Sequence, residues 1–350
     1  MQQAVSPNAF NLIGVGGVGV TIVERLSRTP LPGVRYLGID TDERRAADNG
    51  IDRLLLEGLP GGSGRAAKAA YAAAQRSGNE IAAALADNQF ALIVASFGGG
   101  TGAGASPAVA KFARNGGGLA VILAIEPPDF EGSRRSAASN EAIHFALDLA
   151  DAVIRVPNRD VAEICGPDVP MKEALRRIDE QVAHGAHAIM AVAAGCAGMG
   201  LDLGVVRRTL ASSGLAVMGY GQAPAAGSLR EALRQALSSS FLYPEELRRT
   251  AHVLVYVQGG ESLPVAELRS GSQAVAEFTG DAELLVGLGP PPSEDEPVSI
   301  TLLGCGLQEA IQPQASEKAA PLESIGPANL FDGENLEIPA FIRRQRRFGV

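Results

Sequence analysis

Two glycine-rich segments have the composition needed to bind phosphate groups. GVGGVG at residues 14–19 and FGGGTGAGA at residues 97–105 each follow an apolar run and precede a helical one. Glycine lets backbone N–H groups approach phosphate oxygens, and a helix N-terminus adds partial positive charge. Two such loops on one sheet suit a nucleoside triphosphate better than a dinucleotide. We therefore predict phosphate contacts at Gly16, Gly17, Val18, Gly19, Gly98, Gly99, Gly100, Thr101 and Gly102.

Neutralisation of the phosphates must come mainly from the backbone. The lysine-containing pattern GxxxxGK[ST] does not occur in the sequence. Backbone N–H groups, the Thr101 hydroxyl and a bound cation would have to replace that lysine. Either loop could instead be a structural turn without a ligand. Residues 14–19 together with Asp40 also fit the dinucleotide site of a Rossmann dehydrogenase.

Alternating strands and helices must position these loops. Near-continuous apolar runs predict strands at 10–15, 34–39, 90–96, 119–125 and 152–156. Such runs are typical of a doubly wound parallel sheet in an α/β fold, because both faces of that sheet are covered. Helices are expected at 21–27, 66–86 and 107–114.

The second half is predicted to hold a long central helix and a smaller α+β domain. Met171–Ala194 has helical spacing, and residues 205–218 predict another helix. Apolar runs at 253–258, 282–288 and 298–303 alternate with a helix near 265–278, which indicates a partly antiparallel sheet. We place domain boundaries at 1–170 (nucleotide binding), 171–202 (central helix and loop), 203–307 (α+β), 308–334 (flexible linker) and 335–350 (terminal peptide).

Composition argues against several classes of protein. The net charge of −9 does not favour a nucleic-acid partner. Cys165, Cys196 and Cys305 match no zinc or disulfide pattern and are interpreted as free thiols. Neither a signal peptide nor an uninterrupted apolar run of membrane-spanning length (~18 residues) is recognisable. We expect a soluble cytoplasmic protein that can still be recruited to the inner face of a membrane.

The motif GGGTGAGASPAVA at residues 98–110 resembles the signature loop of the tubulin/FtsZ family. The resemblance extends along nearly the whole chain. It includes residues 13–20, GIDTD at 38–42, residues 57–64, PPDFEGSRR at 127–135, VPN at 156–158, LRRID at 175–179 and LEIPAFIRRQ at 336–345. It implies a GTP/GDP-binding cytoskeletal protein with a Mg²⁺ requirement that polymerises head to tail.

The resemblance also implies roles for individual side chains. Glu131 and Arg135 would hold the ribose, and Asn158 and Asp179 would read the base. A carboxylate can accept hydrogen bonds from both N1–H and N2–H₂ of guanine, which adenine does not offer in that pattern. Without a ligand, Asp179 would be a solvated acid on a helix, and Glu131 with Arg135 an ordinary surface ion pair.

Three residues depart from the family pattern in the first loop. Val18 and Val20 replace preferred glycines, and Thr21 replaces an asparagine that touches the base. Valine resists a positive φ. Either the backbone is regular at these positions or the phosphate contact differs.

Hydrolysis in this family uses an NxDxxD loop that one subunit inserts against the nucleotide of the next. Here the loop keeps its first acid as Asp202, but Gly200 replaces the asparagine and Val205 the second acid. Valine can neither orient water nor bind a cation. We therefore expect slow GTP hydrolysis, with Asp202 as the remaining catalytic residue. Asp202 could instead serve only as a helix N-cap.

The last residues resemble the family's C-terminal recognition peptide. Its candidate binding residues are Ile338, Pro339, Phe341, Arg343 and Arg344. The resemblance implies binding to a membrane tether or a division regulator, and the basic charge adds weak attraction to anionic lipid. A solvated terminus without a partner is the alternative.

The function favoured by the sequence is thus a filament-forming GTP-binding protein with weak hydrolysis, acting in cell division or membrane remodelling. A fully active division-ring GTPase and a non-polymerising regulator of another such protein remain as alternatives. A nicotinamide-dependent dehydrogenase is disfavoured by the second glycine loop, the FEGSRR segment and the tail.

Overall fold

A computed structural model describes most of the chain up to residue 307. The described residues are 9–43, 50–59, 62–64, 66–158, 168–196, 201–211, 213–223, 229–239, 241–259, 263–290 and 297–307. They belong to one compact unit. Gly200 and the whole predicted linker and tail lie outside the described residues. The domain boundaries within the chain stay predictions.

Ten strands form one continuous sheet in the order β3-β2-β1-β4-β5-β6-β7-β10-β8-β9. The strands are β1 Phe10–Val15, β2 Val34–Asp40, β3 Asp52–Leu55, β4 Phe90–Ser96, β5 Leu119–Ile125, β6 Ala152–Val156, β7 Gly214–Gln222, β8 His252–Gln258, β9 Glu283–Gly289 and β10 Ser299–Cys305. Neighbouring strands from β3 to β7 are parallel. β10 is antiparallel to β7 and β8, and β8 is parallel to β9. The predicted α/β class is confirmed, and the C-terminal strands are consistent with the predicted partly antiparallel sheet.

Ten α-helices of the described residues accompany the sheet. They are α1 Gly16–Leu26, α2 Ala67–Arg76, α3 Gly78–Ala84, α4 Gly100–Asn115, α5 Ser133–Leu147, α6 Met171–Ala193, α7 Leu203–Leu210, α8 Leu229–Leu237, α9 Pro244–Leu247 and α10 Val265–Thr279. α4 packs against α2, α3 and α5, whereas α6 packs against α1, α7 and the strands β1, β4 and β7. β1 and β5 are buried along their whole length, as expected for strands covered on both faces. Among the described residues, no helix is both long and apolar enough to cross a membrane.

Two helix predictions were wrong. Residues 205–218 do not form one helix, because α7 ends at Leu210 and Gly214 has a φ of +62°. β7 starts at this glycine and pairs with β6 on one side and β10 on the other. The predicted helix at 66–86 is divided into α2 and α3 at Ser77. A Cβ on the adjacent Gly78 would lie 2.6 Å from the Phe112 ring, so the break brings α3 close to α4.

The α4 helix begins much earlier than predicted. Gly100 to Ser106, interpreted from sequence as loop, are helical, and Pro107 lies inside the helix. Glycine normally costs about 1 kcal/mol relative to alanine in a helix. Here close packing requires it, since a Cβ on Gly104 would lie 2.0 Å from the Ala67 carbonyl oxygen of α2. Tertiary packing thus overrides the low helix propensity.

Replacing Gly104 with alanine should destabilise the fold, even though alanine is the better helix former. The added Cβ forces the α2 and α4 backbones apart, and overpacking of this kind costs about 1–3 kcal/mol. Gly116→Ala, at the C-cap of the same helix, is the control, since its Cβ would have its nearest neighbour at 3.4 Å. We expect the control to change the free energy of unfolding by less than ~0.5 kcal/mol. Denaturant titration measures both variants, and equal stabilities would contradict this explanation.

Candidate nucleotide-binding site

An open cavity of about 620 Å³ lies where β1, β4, β5 and β6 end. Its lining includes Gly16, Gly17, Val18, Gly98, Gly99, Gly100, Thr101, Gly102, Glu131, Arg135, Asn158 and Asp179. The structure therefore brings together all the residues predicted to contact the nucleotide except Gly19. Ligands of open parallel sheets bind at this carboxyl edge of the strands. Among the cavity-lining residues described, Arg135 carries the single positive charge, against the carboxylates of Glu126, Glu131 and Asp179.

Two helices start at the wall of this cavity. α1 begins at Gly16 after Val15, and α4 begins at Gly100 after Gly99. Neither Val15 nor Gly99 has a side-chain acceptor that could cap the first N–H groups of its helix. Uncapped N–H groups together with two helix dipoles favour an anion, each dipole contributing roughly 0.3–1 kcal/mol.

Close backbone packing explains the glycines of both loops. Gly16 has a φ of +72°, and a Cβ on it would lie 3.0 Å from the Gly102 nitrogen. A Cβ on Gly102 would lie 2.3 Å from the Ser96 carbonyl oxygen. Gly19 is buried in α1, and its Cβ would lie 2.1 Å from the Val94 carbonyl oxygen. A phosphate contact at Gly19 stays a prediction, and packing against β4 gives this residue another reason to be glycine.

The valines of the first loop sit in regular backbone. Val18 and Val20 are helical residues of α1, and neither has a positive φ. Val18 is 39% exposed and lines the cavity, whereas Val20 is buried. The Thr21 hydroxyl donates to the Gly17 carbonyl oxygen at 2.8 Å. The family's extra glycines are therefore not needed for this helix to form.

Three hydroxyl groups meet beside the second loop. Thr101 Oγ1 lies 2.8 Å from Thr41 Oγ1 and donates to Ser63 Oγ at 3.2 Å. Thr41 is buried, and its backbone N–H donates to Asp40 Oδ1 at 2.7 Å. Ser63 lines the cavity but was absent from the predicted site. Ser63 could have been predicted from the sequence, because it belongs to the segment 57–64, which resembles a phosphate-side loop of the family.

Arg135 connects the segment predicted to hold the ribose with the second glycine loop. Its Nη1 pairs with Glu131 Oε1 at 2.5 Å, and its Nε donates to the Gly98 carbonyl oxygen at 2.9 Å. Glu131 belongs to the short 3₁₀ helix Asp129–Glu131, and Arg135 lies in the first turns of α5. The pair is thus anchored to the second glycine loop, unlike an ordinary surface ion pair.

The polar groups predicted to read the base line the same cavity. Asn158 is 5% exposed, and its Oδ1 has no hydrogen-bond partner among the described residues. Burial raises the pKa of Asp179 to about 6, while the charge of Arg25 opposes this shift and that of Glu180 adds to it. An unpaired buried amide oxygen and a desolvated carboxylate are both costly without a ligand. These two groups fit a ligand that offers several hydrogen-bond donors, because the carboxylate of Asp179 and the amide oxygen of Asn158 both accept hydrogen bonds.

Apolar side chains of α6 complete the lining, and the sequence reasoning missed them. Met171, Leu175 and Asp179 follow each other at four-residue spacing, so they share one face of the helix. Met171 and Leu175 are 49% and 39% exposed, and Phe130 on the opposite segment is 62% exposed. Such apolar groups can contact the flat face of a nucleobase. Their helical spacing was visible in the sequence, but it is equally typical of core residues.

Asp202 lies beyond the opposite end of α6 from the cavity. It is the exposed N-cap of α7 and accepts a hydrogen bond from the Val205 N–H at 2.9 Å. Val205 is partly buried and packs against the hydrophobic core. The capping role considered from sequence is therefore present, and a catalytic role stays a prediction.

Comparisons with known proteins agree with this architecture. The family model described as the GTPase domain of the Tubulin/FtsZ family matches residues 10–166. The cell division protein FtsZ of Pseudomonas putida is 27% identical, over 97% of this chain and 90% of the relative. An FtsZ dimer structure from M. jannaschii has a TM-score of 0.79 and 26% identity, covering 88% of this chain and 90% of that one.

A GTPγS-bound protofilament structure of CetZ2 from Haloferax volcanii is more distant in sequence. It has a TM-score of 0.69 and 22% identity, covering 87% of this chain and 94% of that one, and it supports the fold alone. The match of the glycine-loop region to the family model, the FtsZ relatives along most of the chain and the shared fold agree with one another. Residues 10–166 thus match the GTPase domain of the Tubulin/FtsZ family, and nearly the whole chain is similar in sequence and fold to FtsZ proteins.

Proposed function

We propose that this chain binds GTP and GDP in the cavity and polymerises head to tail into filaments that serve cell division or membrane remodelling. The observation that carries the nucleotide assignment is the convergence on one cavity of two uncapped helix N-termini with Asn158 and Asp179. The helix N-termini suit the phosphates. The carboxylate and the amide suit the edge of guanine.

A divalent cation would assist the backbone in binding the phosphates. Arg135 is already engaged by Glu131 and Gly98, so it cannot neutralise a triphosphate by itself. Mg²⁺ prefers oxygen ligands and keeps several of its waters. The hydroxyls of Ser63 and Thr101 fit such a hydrated ion, which would supply positive charge beside the phosphates.

The position of Asp202 supports head-to-tail assembly. α6 has 23 residues and therefore spans roughly 35 Å, which separates Asp202 from the cavity of its own subunit. Asp202 can act only on a nucleotide held by another copy. An interface between two different surfaces does not close on itself and yields an open filament.

Slow hydrolysis follows from the chemistry of the same loop. Val205 offers no acid, and the Asp202 carboxylate is partly occupied by capping α7. Loss of a positioned general base commonly lowers a rate ~10²–10⁴-fold. Filaments should therefore persist in GTP for longer than those of a protein with both acids.

We predict that GTP and GDP bind far more tightly than ATP and that affinity falls as the pH decreases through about 6. With the cavity empty, burial raises the pKa of Asp179 to about 6. Guanine donors contact the ionised carboxylate, so binding lowers this pKa. Affinity is then highest above pH 6 and falls up to tenfold per unit below it, until the pKa of the complex is reached.

Isothermal titration with GDP and ADP between pH 5 and pH 8 measures both effects. Asp179→Asn should abolish the guanine preference and flatten the pH profile. Asp129→Asn, which removes an exposed carboxylate from the nearby 3₁₀ helix, is the matched control and should retain both. If the unmodified protein bound ADP as tightly as GDP, the assignment of a guanine-specific site would be wrong.

Val205→Asp should raise GTP turnover, because it restores an acid at the third residue of α7. Val205→Asn has the same size without the charge and should leave turnover low. Asp202→Ser should remove the residual activity while keeping an N-cap acceptor, so that lost capping does not confuse the result. Phosphate release and light scattering on the same samples measure turnover and assembly. Rapid turnover by the unmodified protein would show that another residue has taken the role of the acid.

We further propose that residues 336–350 attach the filament to a tether or regulator at the inner membrane face, on the basis of their resemblance to the family's recognition peptide. A flexible linker of the predicted length spans about 30 Å on average. Deleting 336–350 should leave GDP affinity unchanged and abolish localisation of a fluorescent fusion. A tail with the same composition in scrambled order keeps the basic charge. Normal localisation of the scrambled tail would favour lipid contact over a specific partner, and normal localisation of the deletion would refute both.

A further inference from the structure

A buried arginine joins two parts of the chain that are far apart in sequence. Arg155 in β6 is 6% exposed, and its Nε donates to Glu126 Oε1 at 2.6 Å. Its Nη1 also lies 3.5 Å from Glu246 Oε1 in α9. Glu126 is 8% exposed and directly follows β5. We call Glu126, Arg155 and Glu246 the ionic bridge.

Two members of the ionic bridge are largely removed from water: the side chains of Arg155 and Glu126 are 7% and 9% exposed, whereas that of Glu246 is 24% exposed. Burial alone lowers the pKa of the Arg155 guanidinium, but the hydrogen bond and charge of Glu126 and the charge of Glu246 outweigh it, so that the pKa is raised. Arg155 therefore stays charged at every physiological pH. A buried charge of this kind needs its partners, since an unpaired one is strongly unfavourable.

On one side, the ionic bridge fixes the rim of the nucleotide cavity. The Glu126 N–H donates to the Val156 carbonyl oxygen at 2.9 Å, which extends the pairing of β5 with β6. Pro127 and Pro128 follow, and both line the cavity. Proline has a nearly fixed φ, so this segment is stiff. A Cβ on Gly98 would lie 2.9 Å from the Pro127 Cβ, which places the rim directly against the second glycine loop.

On the other side, the ionic bridge reaches the C-terminal strands. Glu246 belongs to α9, where the next residue, Leu247, is fully buried. A Cβ on Gly304 of β10 would lie 2.8 Å from Leu247 Cδ1, so α9 rests on that strand. A displacement of β10 and α9 therefore acts on Glu246, and through Arg155 on Glu126.

We propose that Arg155 is a positioning residue that couples the C-terminal strands to nucleotide affinity by holding the Glu126–Pro128 rim against Gly98. The inference rests on the proposed binding of GDP and GTP in this cavity. Arg155 and Glu246 are not among the residues that line the cavity, so they act through the rim. Any contact that moves α9 would alter nucleotide binding by the same route.

The test breaks the ionic bridge at its far end. Glu246→Gln removes the charge that faces Arg155, and Glu245→Gln is the matched control, because the neighbouring Glu245 is exposed and pairs with Arg248 at 2.9 Å. GDP affinity is measured by titration at protein concentrations where the chain is monomeric, after circular dichroism has verified folding. We expect Glu246→Gln to weaken GDP binding about three- to tenfold and Glu245→Gln to leave it unchanged.

A double-variant cycle separates positioning from a general loss of stability. Arg155→Lys keeps the charge but loses the two-pronged geometry of the guanidinium, so it should weaken GDP binding as well. Adding Glu246→Gln to Arg155→Lys should then cause little further loss of GDP affinity. If the two substitutions acted independently, their fold-changes in affinity would multiply. If both single variants bind GDP like the unmodified protein, or if their effects multiply, the proposal is overturned. Absence of GDP binding by the unmodified protein would instead refute the proposed function. If Glu246→Gln does not fold, Arg155→Lys is tested alone, and a GDP affinity equal to that of the unmodified protein overturns the proposal.

Discussion

The contact between two backbone turns governs the rest of this structure. The turn from β1 into α1 and the turn from β4 into α4 approach so closely that a Cβ on Gly16 would lie 3.0 Å from the Gly102 nitrogen. Only glycines allow this approach, and it aims two helix N-termini at one cavity. The strand order then matters, because β1 and β4 are direct neighbours in the sheet. Without that adjacency, each glycine turn would be an ordinary strand-to-helix connection with too little positive potential for a triphosphate.

The second constraint is the length and burial of α6. Its apolar face is packed into the core from Ala174 to Ala193, so it behaves as a rigid rod between the cavity and the Asp202 loop. In the proposed function, this separation means that one subunit does not complete its own hydrolytic site. The proposed binding and hydrolysis of the nucleotide then belong to different surfaces of the molecule. A change such as Val205 can alter the second surface while leaving the first intact.

Much of the candidate site was predictable because most of its residues belong to short, recognisable sequence motifs. The two glycine loops, the pair Glu131–Arg135 and the residues Asn158 and Asp179 are short motifs next to strand ends, and parallel strands bring such ends together. Met171, Leu175 and Ser63 were missed, because apolar helix residues and a loop serine carry no distinctive pattern. The ionic bridge was also not predictable, since Glu126, Arg155 and Glu246 are separated by long stretches of chain and meet only through strand pairing and the packing of α9.

Errors in secondary structure have the same origin. Glycine-rich residues 100–106 were interpreted as loop because propensity is a local property, whereas the close contact of Gly104 with Ala67 is a tertiary one. Residues 205–218 have apolar spacing that fits a helix or a buried strand. The chain turns at Gly214, which has a positive φ, and from there it forms β7, which is paired on both sides. The confirmed elements are those in which local pattern and long-range packing agree.

The sheet ends at β3, a strand of four residues whose charged side chains are already engaged. Asp52 pairs with Arg35 at 2.6 Å, and Arg53 pairs with Glu24. A long, flat and apolar edge strand is a template for pairing with strands of other molecules and favours amyloid, whereas a short and charged edge strand is a poor template. The β3 edge thus resists irreversible strand pairing between molecules, so that at high local concentration their association can remain reversible.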